Sequence, residues 1–219
     1  MEDSIKMKLV VGGCSFSSSF NIRLEESWPA LVAKQLNCDL LDEAAIAGSN
    51  YRIWRKIVNY IVEGVVTKDD TLIIQYTESH RTELFSPIKR RLEHDDRHSP
   101  AESYHDGYIL KNKWGLELTG IGDEKKIGIM TRKFSCDQFD YERFSVEHTM
   151  FQGYLKSLGF NHVYFLIGGP YTPNINNITQ YPIIDCSDTL KYHLTNDIHH
   201  MNAVGHKTVT QRILDVLKV

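Results

Sequence analysis

The chain has 219 residues, 42% of them hydrophobic, 11% aromatic and 24% charged, which suits one well-packed domain and is short for two independent cores. That composition excludes a disordered or fibrous protein. A formal charge of −3 offers no broad attraction to a phosphate backbone, so nucleic acid is not an expected main partner, although the run KRR at 89–91 is locally basic.

In chain order, MKLVV (7–11) is an apolar run ending at Gly12-Gly13, the pattern of a buried strand feeding a tight turn. EESWPALVAKQL (25–36) reads as a helix with Ser27 as cap and Pro29 in its first turn. CDLLDEAAI (38–46) supplies a second strand. In NYRIWRKIVNYIVEG (50–64), Ile53, Trp54, Ile57, Val58 and Ile61 recur at helical spacing before Gly64, which predicts an amphipathic helix. DDTLIIQYT (69–77) is a third strand. From about Arg81 to Ser135 the pattern lapses into charge runs and turn residues, read as an insertion with small hairpins. A helix over Asp137–Leu158 stopped by Gly159, the strand HVYFLIGG (162–169) and a helix over Ala203–Leu217 complete the chain. This rhythm implies right-handed crossovers and a parallel sheet covered on both faces, in one domain over 1–219.

The four cysteines, Cys14, Cys38, Cys136 and Cys186, show no C-x-x-C spacing and fit reduced thiols. The N-terminal apolar run is too short for a signal peptide, and no apolar stretch has the length of a membrane span. A cytoplasmic location is therefore expected, with no membrane partner; phage-borne proteins share these features.

In open α/β sheets ligands bind beyond the carboxyl ends of strands, so GGCSFSS, AIAGSN, QYTESHR and GGPYTPN are the segments of interest. A further one lies in NDIHHMNAVGHKTVTQRIL (196–214). There Asp197 precedes His200 by three residues, close enough for its carboxylate to take the Nδ1 proton of the imidazole and leave Nε2 as a base. By itself this segment equally suits metal ligation by His199, His200, His206 and Asp197, or a polar loop capping a helix. Ser15, just past a strand and a Gly-Gly turn, is the serine that such a base could activate.

Together these residues resemble the SGNH (GDSL-type) hydrolases. The family's Gly-Asp-Ser block is similar to Gly13-Cys14-Ser15, its Asn-x-x-x-x-Gly block to Glu43 through Gly48, followed by Ser49-Asn50, and its Asp-x-x-His-Pro-Asn block to Asp197 through Asn202, with Gly205-His206 trailing. In the third block, Gln75-Tyr76-Thr77-Glu78 stands where the family has Gly-x-Asn-Asp, so a hydroxyl replaces an amide; YTESHR looks like a Thr-x-x-x-Arg branch. The resemblance implies a flavodoxin-like α/β/α fold with about five parallel strands and hydrolysis of an O-acyl ester, O-acetyl on a carbohydrate being preferred. It makes Ser15 the nucleophile, His200 the base and Asp197 its orienter. The N–H groups of Ser15 and Gly48 would hold the oxyanion, with Thr77 or Asn50 as third donor. No metal or organic cofactor is required. An O-acyltransferase with the same triad, or a non-catalytic binding protein, would share these features.

Other residues carry weaker expectations. Ser17, Ser18 and Ser19 are read as loop or cap residues, and Cys14 as a small buried side chain. His206 is read as capping or packing, with His199 the fallback base if the loop is displaced by one residue. The remaining histidines, including His94, His98 and His105, are read as solvated. Glu78 and Arg81 are candidates for substrate contact, Arg81 equally for a structural ion pair. Tyr104, Tyr108 and Trp114 could line a substrate wall or form a satellite core.

Overall fold

In the computed structural model, which describes residues 7–19, 22–45, 48–77, 79, 82–85, 108–111, 137–168, 173, 175–194 and 197–218, the first apolar run is strand β1 (Lys8–Gly12). Leu9, Val10 and Val11 are fully buried, and alternation sends Val10 to one side of the sheet and Leu9 and Val11 to the other. Buried faces on both sides call for helices on both sides. They are α1 (Trp28–Leu36), α2 (Asn50–Val62), α3 (Asp137–Ser157) and α4 (Ala203–Leu217).

The other sheet strands are β2 (Asp39–Asp42), β3 (Thr71–Gln75), β6 (Val163–Ile167) and β7 (Ile183–Asp185). All pairings are parallel, in the order β2-β1-β3-β6-β7. This is the flavodoxin-like order, whose topological switch lies between β1 and β3. Val10, Leu72, Ile74, Val163 and Phe165 pack with Ile53, Trp54 and Ile57 of α2 and Phe144, Phe151 and Leu155 of α3. Leu9, Val11, Ile73, Leu166 and Ile184 pack with Trp28 and Val32 of α1 and Val209 and Ile213 of α4. The expected three layers and five parallel strands are thus present.

Two details differ from the sequence reading. Residues Leu24–Glu26 form a 3-10 turn, and α1 begins only at Trp28. Ser27 precedes it without capping it, because its hydroxyl donates to Leu24 O at 2.7 Å. Strand β7 was not among the predicted elements, since three residues between Pro182 and Cys186 are too few to show a period. Within the insertion, β4 (Thr82–Phe85) pairs antiparallel with β5 (Tyr108–Lys111), and the expected turns between them lie outside the described residues. Among the described residues, no helix is long and apolar enough to cross a membrane.

Gly168, just beyond β6, lets the sheet edge approach the Ser15 turn. A Cβ there would lie 2.3 Å from Phe16 Cε1 and 2.7 Å from its Cζ. Gly168→Ala is expected to cost about 1–3 kcal/mol through overpacking, read as a lower urea midpoint. An unchanged midpoint would remove Phe16 from this position.

Candidate active site

The Ser15 turn begins where β1 ends. Ser17 N and Ser18 N both donate to Cys14 O, at 3.0 and 3.2 Å, closing a helical-type turn over residues 14–18. A close fit requires Gly13, since a Cβ there would meet Ser17 Oγ at 2.6 Å and Gln75 Oε1 at 3.2 Å. The turn buries Cys14, Phe16, Ser17 and Ser18 but leaves Ser15 partly exposed. Ser17 Oγ donates to Gln75 Oε1 and Ser18 Oγ to Ser15 O, at 3.1 and 3.2 Å. Ser19, also partly exposed, lies at the far end of the turn. Cys14 is buried, and its thiol donates to Gln75 Oε1 at 3.2 Å, so it is poorly placed to attack a substrate.

The second segment packs directly on this turn. Ala45 N donates to Gly13 O at 3.1 Å, and a Cβ on Gly48 would lie 3.3 Å from Gly13 O and 3.8 Å from Cys14 Cα. Gly48 N donates to Ala45 O at 3.0 Å, closing a turn. To reach an oxyanion, this N–H must share or exchange that carbonyl. Ser49 caps α2, its hydroxyl accepting Arg52 N–H at 3.1 Å. Arg52 in turn donates to Glu43 O at 2.8 Å and lies 3.6 Å from the Glu43 carboxylate, tying the two ends of the segment together.

At the third strand end, Asn50 and Thr77 meet through a reciprocal pair. Thr77 N donates to Asn50 Oδ1 at 2.9 Å, and Asn50 Nδ2 donates to Thr77 O at 3.1 Å. Both residues are buried. The Asn50 amide therefore anchors the Thr77 backbone. Three segments distant in sequence thus converge at the β1/β3 switch.

The fourth segment is β9 (Asp197–Met201), which pairs with β8 (His193–Leu194). A regular strand would direct residues 197 and 200 to opposite faces. The pairing is irregular, however: Leu194 opposes Asp197 while His193 opposes Met201, so residues 198–200 are accommodated as a bulge. Beyond it, Asn202 caps α4, its side chain accepting Val204 N–H at 2.9 Å and Gly205 N–H at 3.1 Å. Met201 shares one buried cluster with Cys14, Phe16 and Trp28. That cluster fills the layer between the sheet and α1 and α4. His200 itself is half-buried.

His206 is buried and accepts Trp28 N–H on Nδ1 at 3.1 Å, so it supplies the cap that Ser27 does not. Burial, and then the charge of nearby His200, push its pKa down to about 4. The expectation of a capping or packing role holds. His148, read as solvated, is instead fully buried against Tyr76, Phe144 and Phe165. Its Nδ1 lies 2.7 Å from Tyr76 Oη, which also accepts Trp54 Nε1–H at 3.2 Å. Burial pushes His148 down to about 4 and Tyr76 well above its ordinary value. The sequence held a signal for this: His148 falls on the same helical stripe as Phe144, Phe151 and Leu155.

Gln75 is the residue that motif reading passed over. It stands in the block that matches the family least, yet its buried side chain touches both the backbone and side chain of Cys14. Glu78, Arg81, His94, His98, His105, Tyr104 and Trp114, and the side chains of Tyr108, Asp197 and His199, lie outside the described residues. Among the described residues, no three His, Cys, Asp or Glu side chains gather as a metal ion would require.

Residues 17–191 match the model of a family of unknown function, DUF6071. No curated protein matches the chain. Solved structures do match over nearly the whole length. The psychrotrophic esterase EstA from Pseudoalteromonas sp., in a structure inhibited by monoethylphosphonate, is 11% identical, with 96% of each chain covered and a TM-score of 0.53. A lipolytic protein of the G-D-S-L family from Veillonella parvula is 10% identical, covering 97% of this chain and 98% of that one, with a TM-score of 0.55. The acetyl xylan esterase AlAXEase is 11% identical, covering 96% of this chain and all of that one (100%), with a TM-score of 0.53. At these identities the likeness is one of fold, and the fold is that of the SGNH hydrolases.

Proposed function

We propose that this chain, which belongs to DUF6071, a family of unknown function, is a serine ester hydrolase acting on an O-acyl ester of a small molecule or carbohydrate. The observation that carries this reading is the Ser15 turn. At the switch point of a parallel sheet, four of the residues 14–18 are buried and Ser15 is left partly exposed. His200, half-buried on the strand that ends at Met201, is the base that reading requires, and Asp197 its orienter.

In this mechanism His200 Nε2 takes the Ser15 hydroxyl proton as Oγ bonds to the acyl carbon, and the carbonyl π electrons move to its oxygen. Ser15 N–H and Thr77 Oγ1–H donate to that oxyanion, with Thr77 held in place by Asn50, and Gly48 N–H joins if it leaves Ala45 O. Collapse expels the alkoxide, which takes the proton from His200. Water, deprotonated by the same imidazole, then releases the acid and restores Ser15. An O-acetyl group on a carbohydrate is the preferred substrate; the acetyl xylan esterase among the similar folds supports that choice.

A fluorophosphonate probe tests the assignment, because it needs an activated serine and no knowledge of the substrate. Labelling of folded protein is expected at Ser15 by peptide mass analysis, retained in Cys14→Ala and absent in Ser15→Ala. Failure to label the folded parent would leave a non-catalytic binding protein on the same fold. Incubation with an acyl donor and candidate sugars separates hydrolysis from acyl transfer.

A further inference from the structure

We propose that Gln75 is a positioning residue for the nucleophile turn, an assignment that rests on the esterase reading above. Gln75 ends β3 and is fully buried. Its Oε1 accepts Cys14 N–H at 3.0 Å, Cys14 Sγ–H at 3.2 Å and Ser17 Oγ–H at 3.1 Å. Its Nε2 donates to Tyr76 O, which fixes the amide orientation. A flipped amide would set N–H groups against three donors and leave a carbonyl oxygen facing another.

The placement explains why Ser15 stays partly exposed while Ser17, held by the same amide, is buried. Gln75 holds the residue before Ser15 and the residue two after it from inside the sheet. Both held residues are buried, and Ser15 lies between them, partly exposed. The backbone that carries the Ser15 N–H and Oγ is thereby fixed across 61 residues of sequence, from the strand end that also carries Thr77. Nucleophile, oxyanion donor and β3 become one rigid unit. Gly13 completes it, since any side chain there would collide with Ser17 and crowd Gln75 Oε1.

Two substitutions separate positioning from mere stability. Gln75→Met keeps the length of the side chain but orphans the three donors. Gln75→Glu reproduces both halves of the pattern only while protonated, when it accepts from the turn and donates to Tyr76 O. The readouts are fluorophosphonate labelling rate at Ser15, iodoacetamide alkylation of Cys14, and kcat and KM for a p-nitrophenyl acyl ester, each on protein with a parental circular dichroism spectrum.

For Gln75→Met the expected result is labelling and kcat lowered about 100-fold, the cost of an ångström-scale misplacement, with KM within about threefold and Cys14 alkylated faster. In Gln75→Glu, the labelling rate relative to the parent is expected to fall as pH rises from 6 to 9, as the introduced carboxyl ionises. Folded Gln75→Met that labels at the parental rate overturns the assignment. Should that variant not fold, a constant ratio for Gln75→Glu across this pH range overturns it. Cys14 alkylation reports the turn independently of catalysis. Faster alkylation in Gln75→Met with no labelling of the parent would therefore refute the esterase reading while keeping Gln75 as the anchor of the turn.

Discussion

Ser15→Ala is expected to lower ester turnover by about 10⁴- to 10⁶-fold, and His200→Ala by a similar factor, because each removes an element without which the other cannot act. The double variant is then expected to be no worse than the slower single one. That non-additivity is the informative part. Two residues that contribute independently would multiply their losses, whereas a nucleophile and its base fail together. KM is expected to change little in all three, since neither side chain holds the substrate in its ground state. Steady-state kinetics on a p-nitrophenyl ester would decide it. More than a tenth of parental activity in Ser15→Ala would remove Ser15 from the chemistry, and multiplicative losses would uncouple it from His200.

A second large effect is expected on stability in mild acid. His148 and His206 are held down to about 4, against an ordinary 6.5. Below pH 6.5 the unfolded chain takes up protons at both sites while the native chain does not. Their contribution is therefore complete above about 6.5 and is lost as pH falls toward 4, by about 3 kcal/mol for each histidine at most. Asp42 opposes this. Burial, ahead of the opposing hydrogen bond from Ala44 N–H, pushes its carboxyl up to about 7, so the native state keeps a proton that the unfolded state has released, and this contribution is lost as pH rises from 4 toward 7. Two groups outweigh one, and the parent is expected to lose about 3 kcal/mol between pH 6.5 and 4. Asp42→Asn removes the opposing group and keeps an acceptor for Ala44 N–H, 2.9 Å from Asp42 Oδ1 in the parent. It is expected to steepen the acid loss roughly twofold and to raise stability at pH 8 by about 4 kcal/mol at most. Urea unfolding at four or five pH values measures both slopes. A flat profile in Asp42→Asn would mean that the two histidines titrate normally.

Much of this protein can be read one segment at a time. The run before Gly12, the helical spacing in α2 and the limits of α4 come from periodicity and punctuation, which depend on neighbours a few residues apart. The same local logic marks Ser15 as the residue after a strand and a glycine pair, and places Asp197 and His200 near each other. What it leaves open is which side chains meet across the sheet. Trp28 N–H finds its acceptor on His206, 178 residues away, so the local candidate Ser27 was the natural but incorrect choice. Gln75 looks like the polar end of an apolar strand until β1 and β3 are adjacent, when it becomes the anchor of the Ser15 turn. Asn50 reads in the sequence as a possible oxyanion donor, and the structure adds that its amide also holds the Thr77 backbone through a reciprocal pair. By itself the sequence determined the elements, their layering and the residue types available at each strand end. Only the tertiary structure decided that Ser17 is buried while Ser15 stays partly exposed, and which polar groups hold their turn, because hydrogen-bond partners distant in sequence are chosen by strand order and not by spacing along the chain.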